Sequence, residues 1–149
     1  MSKIFENLMY SRIQSFLDSS DVLSSKQFGF RSGYSCADAI TEYLDFVYGS
    51  IDERKFAMSV FLDLSKAFDT VDHAILLAKL NHIGVRGCIL DWFSRYLSGR
   101  TQRVSVNGTL SATRGINCGV PQGSVLGPLL FLLYINDMSA STDMLQFVH

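Results

Sequence analysis

Apolar residues in the first stretch of the chain fall at Ile4, Leu8, Ile13, Phe16 and Leu17, near the spacing that brings side chains onto one face of a helix. The pattern predicts a helix over residues 3–18. Residues 24–34 are rich in Ser and Gly and carry no such period, so they read as a loop or a short irregular strand. A second helix is expected to begin near Ser35, with Ala39, Ile40, Tyr43, Leu44 and Val47 as its apolar face. The period then changes. Phe56 to Leu64 (FAMSVFLDL) is a continuous apolar run with one charge, the pattern of a strand covered on both faces. Residues 72–83 and 86–97 return to helical spacing, the first with Asp69 and Asp72 at its positive end and Gly84 just after it, the second ended by Ser98-Gly99.

The sharpest local signal follows. Gln102 to Val106 and Thr109 to Thr113 alternate in period two around Asn107-Gly108, a dipeptide suited to the two positive-φ positions of a type I′ turn, so a β-hairpin is expected. Gly119-Val120-Pro121-Gln122-Gly123 must turn sharply, and Ser124 can cap an apolar helix running through Asp137. A further strand is expected to start near Met144. Both ends read as cut: the chain opens inside an amphipathic pattern and stops at Phe147-Val148-His149, where that strand has just begun. No repeat, low-complexity segment or linker separates the pieces. The expected fold class is α+β, one unit with a mixed or antiparallel sheet packed on helices.

Composition narrows the classes. The chain has 149 residues, about the size of one domain, and its 48% hydrophobic and 18% charged content suits a packed core rather than disorder. The net charge of -1 advertises no basic nucleic-acid surface. Cys36, Cys88 and Cys118 form no CxxC pair, and His73, His82 and His149 supply no finger spacing, which argues against zinc and for reduced, buried thiols. Lys3 and Glu6 interrupt the first apolar residues, so no signal peptide is expected. Val125 to Ile135, with Pro128 inside it, is too short to span a bilayer, and no membrane association is expected.

Three places stand out chemically. Asp63 puts a carboxylate inside the apolar run, which is costly unless it is paired, binds a metal, or sits at a strand end facing water. Pro121-Gln122-Gly123 combines a fixed φ with a residue that permits close backbone approach, ahead of a helix N-terminus. Read alone, it is also an ordinary turn. Gln27-Phe28-Gly29-Phe30-Arg31 puts an arginine, the preferred phosphate clamp, in an aromatic loop, where arginines are more often simply solvated.

In this order, QFGFRSGYSCADAI, FLDLSKAFDTVDH and GVPQGSVLGPLLFLLYINDM resemble successive blocks of reverse transcriptases of the jockey or LINE type, from non-LTR retrotransposons. The resemblance implies part of a right-hand polymerase, with residues 1–55 and 76–122 fingers-like and 56–75 and 123–149 palm-like. By resemblance Asp63 is the first catalytic carboxylate and binds Mg²⁺ (or Mn²⁺), with the Leu64 backbone carbonyl reaching one ion. Phe68 would lie against the incoming sugar, Arg31 would grip the triphosphate, and Gln122 and Gly123, on the Pro121 turn, would line the dNTP pocket. The 102–113 hairpin matches one that packs near the template. The implied chemistry is two-metal phosphoryl transfer from dNTPs to a primer 3′-hydroxyl during retrotransposition. The implied partners are an RNA template and a DNA primer or target, and intracellular, nuclear action follows from the element type. The family also carries an aromatic-Ala-Asp-Asp block that the 149 residues do not contain, so this polypeptide by itself is expected to be inactive. A non-catalytic remnant that binds nucleic acid or protein is the alternative.

Overall fold

The computed structural model describes residues 2–138. They divide into two compact units, one of residues 2–10 with 66–134, the other of residues 11–65 with 135–138. The strand expected near Met144 lies outside the described residues.

In the second of these units, the later half of helix α1 (Ser2–Ser20) buries Ile13 and Leu17, as its period predicts, together with Leu23, Phe28 and Ala39. The 21–34 segment is a loop, as expected. It is held by Asn136, whose Nδ2 donates to the Val22 carbonyl and whose Oδ1 accepts from the Ser24 N–H, both at 2.8 Å. Helix α2 (Cys36–Asp52) begins where Ser35 predicts. Ser35 and Asp38 form a reciprocal capping box, and the Ser35 side-chain and backbone hydrogen bonds hold the Asp38 carboxyl below its ordinary pKa. Its expected apolar face is only partly used, since Ala39 is buried but Ile40 and Leu44 are exposed. Spacing decides which residues share a face, not whether another element covers it.

The run 56–64 departs furthest from expectation. It forms no strand, and Phe56, Met58, Val60, Phe61 and Leu62 are all exposed rather than covered on both faces. Its anchors in this unit include the Tyr43 hydroxyl, 2.7 Å from Ser59 Oγ, and the Tyr43 ring, edge-on to Phe61. A strand needs neighbours for its N–H and C=O groups, and no strand is paired with it among the described residues.

The other unit opens with a 3₁₀ turn at Ala67–Asp69, followed by α3 (His73–His82) and α4 (Cys88–Leu97), close to the expected helices. Asp72 caps α3, its Oδ1 accepting from the Ile75 N–H at 2.9 Å. The two helices pack on each other through buried Leu76, Leu80, Phe93 and Leu97. Helix α5 (Gly127–Ile135) starts three residues later and ends two residues earlier than the sequence suggests, and it buries Leu129 to Leu133 without a break. The Ser124 side chain caps it from outside.

The hairpin forms as predicted, with Asn107 at φ 49° and Gly108 at φ 80°. It consists of β1 (Thr101–Gln102) paired with β4 (Arg114–Gly115), and β2 (Ser105–Val106) paired with β3 (Thr109–Leu110), all antiparallel. Thr101 faces Gly115 while Ser105 faces Leu110, so the return arm carries one extra residue between the two ladders, a bulge near Ser111–Thr113. Both ladders are solvent-exposed, so the expected packing of a sheet on helices is not seen among the described residues. The three cysteines are free, but all are exposed rather than buried. No described helix is long and apolar enough to cross a membrane.

Candidate functional site

The first unit brings two of the singled-out segments into one structure. Lys66, in the left-handed region at φ 55°, turns the chain into the 3₁₀ turn. The segment after it then pairs with the approach to the Pro121 turn: Val120 N–H donates to the Phe68 carbonyl at 2.8 Å and Gly119 N–H to the Val71 carbonyl at 2.7 Å. Asp72 and Cys118 complete an antiparallel bridge, and His73 Nε2 lies 2.8 Å from the Gly119 carbonyl. A carbonyl can only accept, so Nε2 carries the proton there. Gly119 is required twice over. Its φ is +86°, and a Cβ would come within 2.8 Å of the Asp69 carbonyl oxygen.

The turn is closed by Ser124, whose hydroxyl donates to the Pro121 carbonyl at 2.7 Å and accepts from the Gly127 N–H at 2.9 Å. A Cβ on Gly127 would sit 2.8 Å from the same Pro121 carbonyl, so helix and turn meet too closely for any side chain. Across the turn, Gln122 Nε2 donates to Asp69 Oδ1 at 2.9 Å. The Phe68 ring rests on Phe131 of α5, centroids 4.7 Å apart. Phe68, Pro121, Gln122 and Gly123 therefore belong to one assembly, with Gln122 and Gly123 on its exposed side. Asp69 reads from the sequence only as a helix-terminal acid, and its contact to Gln122 carries no local signal because 53 positions separate the two.

Beneath the turn lies a polar group that periodicity does not reveal. Glu6 is buried, and its Oε2 accepts from the Val125 N–H at 3.0 Å. The Tyr96 hydroxyl is buried beside Ser124 without a hydrogen bond of acceptable geometry among the described residues. Burial pushes its pKa above the ordinary 10.0; Ser124 opposes the shift, the Glu6 charge adds to it and Arg100 opposes it. The Tyr96 ring stacks on Trp92 at 5.1 Å, with the Arg100 guanidinium 5.9 Å from its centroid.

The remaining sequence-predicted residues lie in the other unit. Arg31 is not simply solvated: Nη1 donates to the Ser24 carbonyl at 2.9 Å, and the guanidinium lies 4.3 Å from the Tyr34 ring centroid. Ser24 is itself gripped by Asn136, so the arginine hangs from a braced loop. Asp63 and Leu64 are exposed on the unpaired run. Among the described residues, no group of three His, Cys, Asp or Glu side chains could hold a metal ion. Asp63 offers one carboxylate, not a whole site.

The model of the reverse transcriptase (RNA-dependent DNA polymerase) family matches residues 1–149. The chain is 35% identical over 138 residues to a probable RNA-directed DNA polymerase from transposon X-element of Drosophila melanogaster, covering 93% of this chain and 15% of that protein. It is 34% identical over 146 residues to the RNA-directed DNA polymerase from mobile element jockey of the same organism, covering 98% of this chain and 16% of that protein. A Pol polyprotein from the type-1 retrotransposable element R1 of Bradysia coprophila is 30% identical over 141 residues, covering 93% of this chain and 13% of that protein. The chain thus spans about one-sixth or less of the length of these relatives. With a family match over its whole length and relatives of the jockey type, this chain belongs to the reverse transcriptase family of nucleotidyltransferases, in its non-LTR retrotransposon branch.

Proposed function

We propose that the chain is the fingers–palm portion of an RNA-directed DNA polymerase that adds dNTPs to a primer 3′-hydroxyl on an RNA template. One observation carries the reading: the 66–73 segment and the 119–124 turn are joined by backbone hydrogen bonds, with Gln122 and Gly123 exposed beside Phe68 and Asp69. Residues 1–55 and 76–122 would belong to the fingers, and 56–75 and 123–149 to the palm. Phe68, packed on Phe131, would lie against the deoxyribose, and Gln122 and Gly123 would line the nucleotide pocket behind Pro121. Arg31 would grip the triphosphate from its braced loop, at the cost of its contacts to Ser24 and Tyr34. The 102–113 hairpin would lie near the template.

Asp63 and the Leu64 carbonyl would contribute ligands to Mg²⁺ or Mn²⁺, which when bound supplies charge stabilisation for phosphoryl transfer. Among the described residues no group of three His, Cys, Asp or Glu side chains could hold a metal ion around Asp63, and the 149 residues contain no aromatic-Ala-Asp-Asp block. Residues 1–149 alone should accordingly give no primer extension above a heat-killed control.

The test is a chimera in which this chain replaces the matching segment of the D. melanogaster jockey polymerase. In it, Asp63→Asn should lower Mg²⁺-dependent primer extension by more than about a hundredfold, roughly 3 kcal/mol of barrier. A variant that retains more than that would remove Asp63 from the metal site. Phe68→Val should raise incorporation of rNTPs relative to dNTPs, and an unchanged ratio would leave Phe68 as a packing residue only.

A further inference from the structure

α1 hides a charge and displays its hydrocarbons. Glu6 is 7% exposed, while Ile4, Phe5 and Leu8 on the same helix are 71%, 58% and 51% exposed. Withdrawing a carboxylate from water is costly unless it gains hydrogen bonds in return. The bond that Glu6 gains is the Val125 N–H, immediately after the serine that closes the Pro121 turn. The turn is tied to the rest of its unit in three places. Its entrance is held by the Phe68 and Val71 carbonyls and its flank by the Asp69 carboxylate. At its exit, the Ser124 bonds to Pro121 and Gly127 are local, and Glu6 supplies a tie to a distant part of the chain. A carboxylate at this point also favours the positive end of α5.

We infer that Glu6 is a positioning residue for the Gln122–Gly123 turn: from α1 it fixes the turn's exit through the Val125 amide and so sets how the turn meets a nucleotide. The geometry stands independently, whereas the purpose rests on the nucleotide-pocket reading above. Glu6 touches no substrate in this scheme. It acts through the backbone, so an amide that keeps the acceptor oxygen should substitute for the carboxylate.

Amide hydrogen exchange on this chain tests the tie. Loss of one hydrogen bond to a buried donor predicts that Glu6→Leu accelerates exchange at Val125 by about tenfold or more, while Glu6→Gln stays within about threefold of the unsubstituted chain. The Leu130 amide, bonded to the Leu126 carbonyl at the start of α5, should be unchanged in both variants. Equal exchange at Val125 in all three proteins would overturn the inference, as would equal acceleration at Val125 and Leu130, which would report general loosening. A second arm uses a photoreactive azido-dATP, with the labelled peptide mapped. Label on residues 119–125 should fall severalfold in Glu6→Leu and return in Glu6→Gln. Undiminished labelling of Glu6→Leu would overturn the positioning role. Failure to label the unsubstituted chain would instead overturn the pocket reading, and the role that rests on it, while the exchange result would still decide whether the tie exists.

Discussion

Two nine-residue segments of this chain are almost purely apolar, and their fates are opposite. α5, GPLLFLLYI, buries Leu129 through Leu133, whereas FAMSVFLDL at 56–64 leaves Phe56, Met58, Val60, Phe61 and Leu62 in solvent. Hydropathy does not separate them. Backbone chemistry does. A helix satisfies its own N–H and C=O groups and needs only a place to bury its side chains, and in its own unit α5 meets the Phe68 ring at Phe131 and the Pro121 turn at Gly127. An extended run must find its hydrogen bonds on other strands before its side chains can be enclosed, and the described residues offer it no ladder. The conformation that depends on distant partners is the one left bare. The same contrast separates the residues that the resemblance singles out: Phe68 and Gln122 are built into the packed unit, while Asp63 rides on the exposed run.

The largest expected effect tests the packed side of this contrast. Leu130, with no exposed surface, should cost about 2–5 kcal/mol when changed to Ala, whereas Leu62→Ala, 83% exposed, should fall within about 0.5 kcal/mol of the unsubstituted chain. Urea unfolding followed by Trp92 fluorescence reads the first change, and circular dichroism reads both. Comparable losses from the two substitutions would mean that 56–64 is packed in solution. Next in size is Gly119→Ala, which meets both a φ of +86° and the Asp69 carbonyl; it should cost about 1–3 kcal/mol in the same assay. Tolerance of Ala would show that the 66–73 segment and the turn are not locked together.

The exposed run makes a different prediction. Sedimentation velocity should detect concentration-dependent self-association, since exposed apolar segments with unpaired backbone groups template contacts between chains. Val60→Lys should suppress it with a stability change under about 0.5 kcal/mol. Association undiminished by Val60→Lys would put the adhesive surface elsewhere, with the hairpin's exposed Val104, Val106 and Leu110 next in line.

The smallest effect concerns Tyr96. Its buried hydroxyl lacks a well-formed hydrogen bond, so Tyr96→Phe should range from neutral to about 1 kcal/mol more stable at neutral pH. The folded-state pKa lies above the ordinary 10.0, so the group's contribution to stability is full below pH 10.0 and is lost as pH rises through the folded-state value. Unfolding measured between neutral and strongly alkaline pH should show a steeper alkaline decline in the unsubstituted chain than in Tyr96→Phe. Parallel curves would show that the phenol is solvated.

Much of the local architecture was legible in residue order. Ser35 and Asp72 mark the starts of α2 and α3, Asn107-Gly108 sets the hairpin turn, and the 3.6-residue period marks Ile13 and Leu17 as core. These are short-range matters, decided by caps, turn conformations and periodicity within a few residues. The Pro121 turn was legible as a turn, and the family blocks as a resemblance, which is why Phe68, Gln122 and Gly123 could be named without coordinates. Illegible were the partners. Nothing local says that Gln122 bonds to Asp69, that Asn136 grips Val22 and Ser24, or that a glutamate flanked by exposed Ile4 and Leu8 is the buried residue of its turn.

The sequence by itself determined where helices begin, where the chain reverses, and which family supplies the chemistry, because each depends on residue types at fixed short spacings. Only the tertiary structure decided which apolar segment is covered, which side of α1 turns inward, and which backbone groups hold the Pro121–Gln122–Gly123 turn. Burial and hydrogen-bond partnership are properties of pairs brought together across many residues, and a carboxylate such as Glu6 becomes a core residue only when a donor such as the Val125 N–H arrives to meet it.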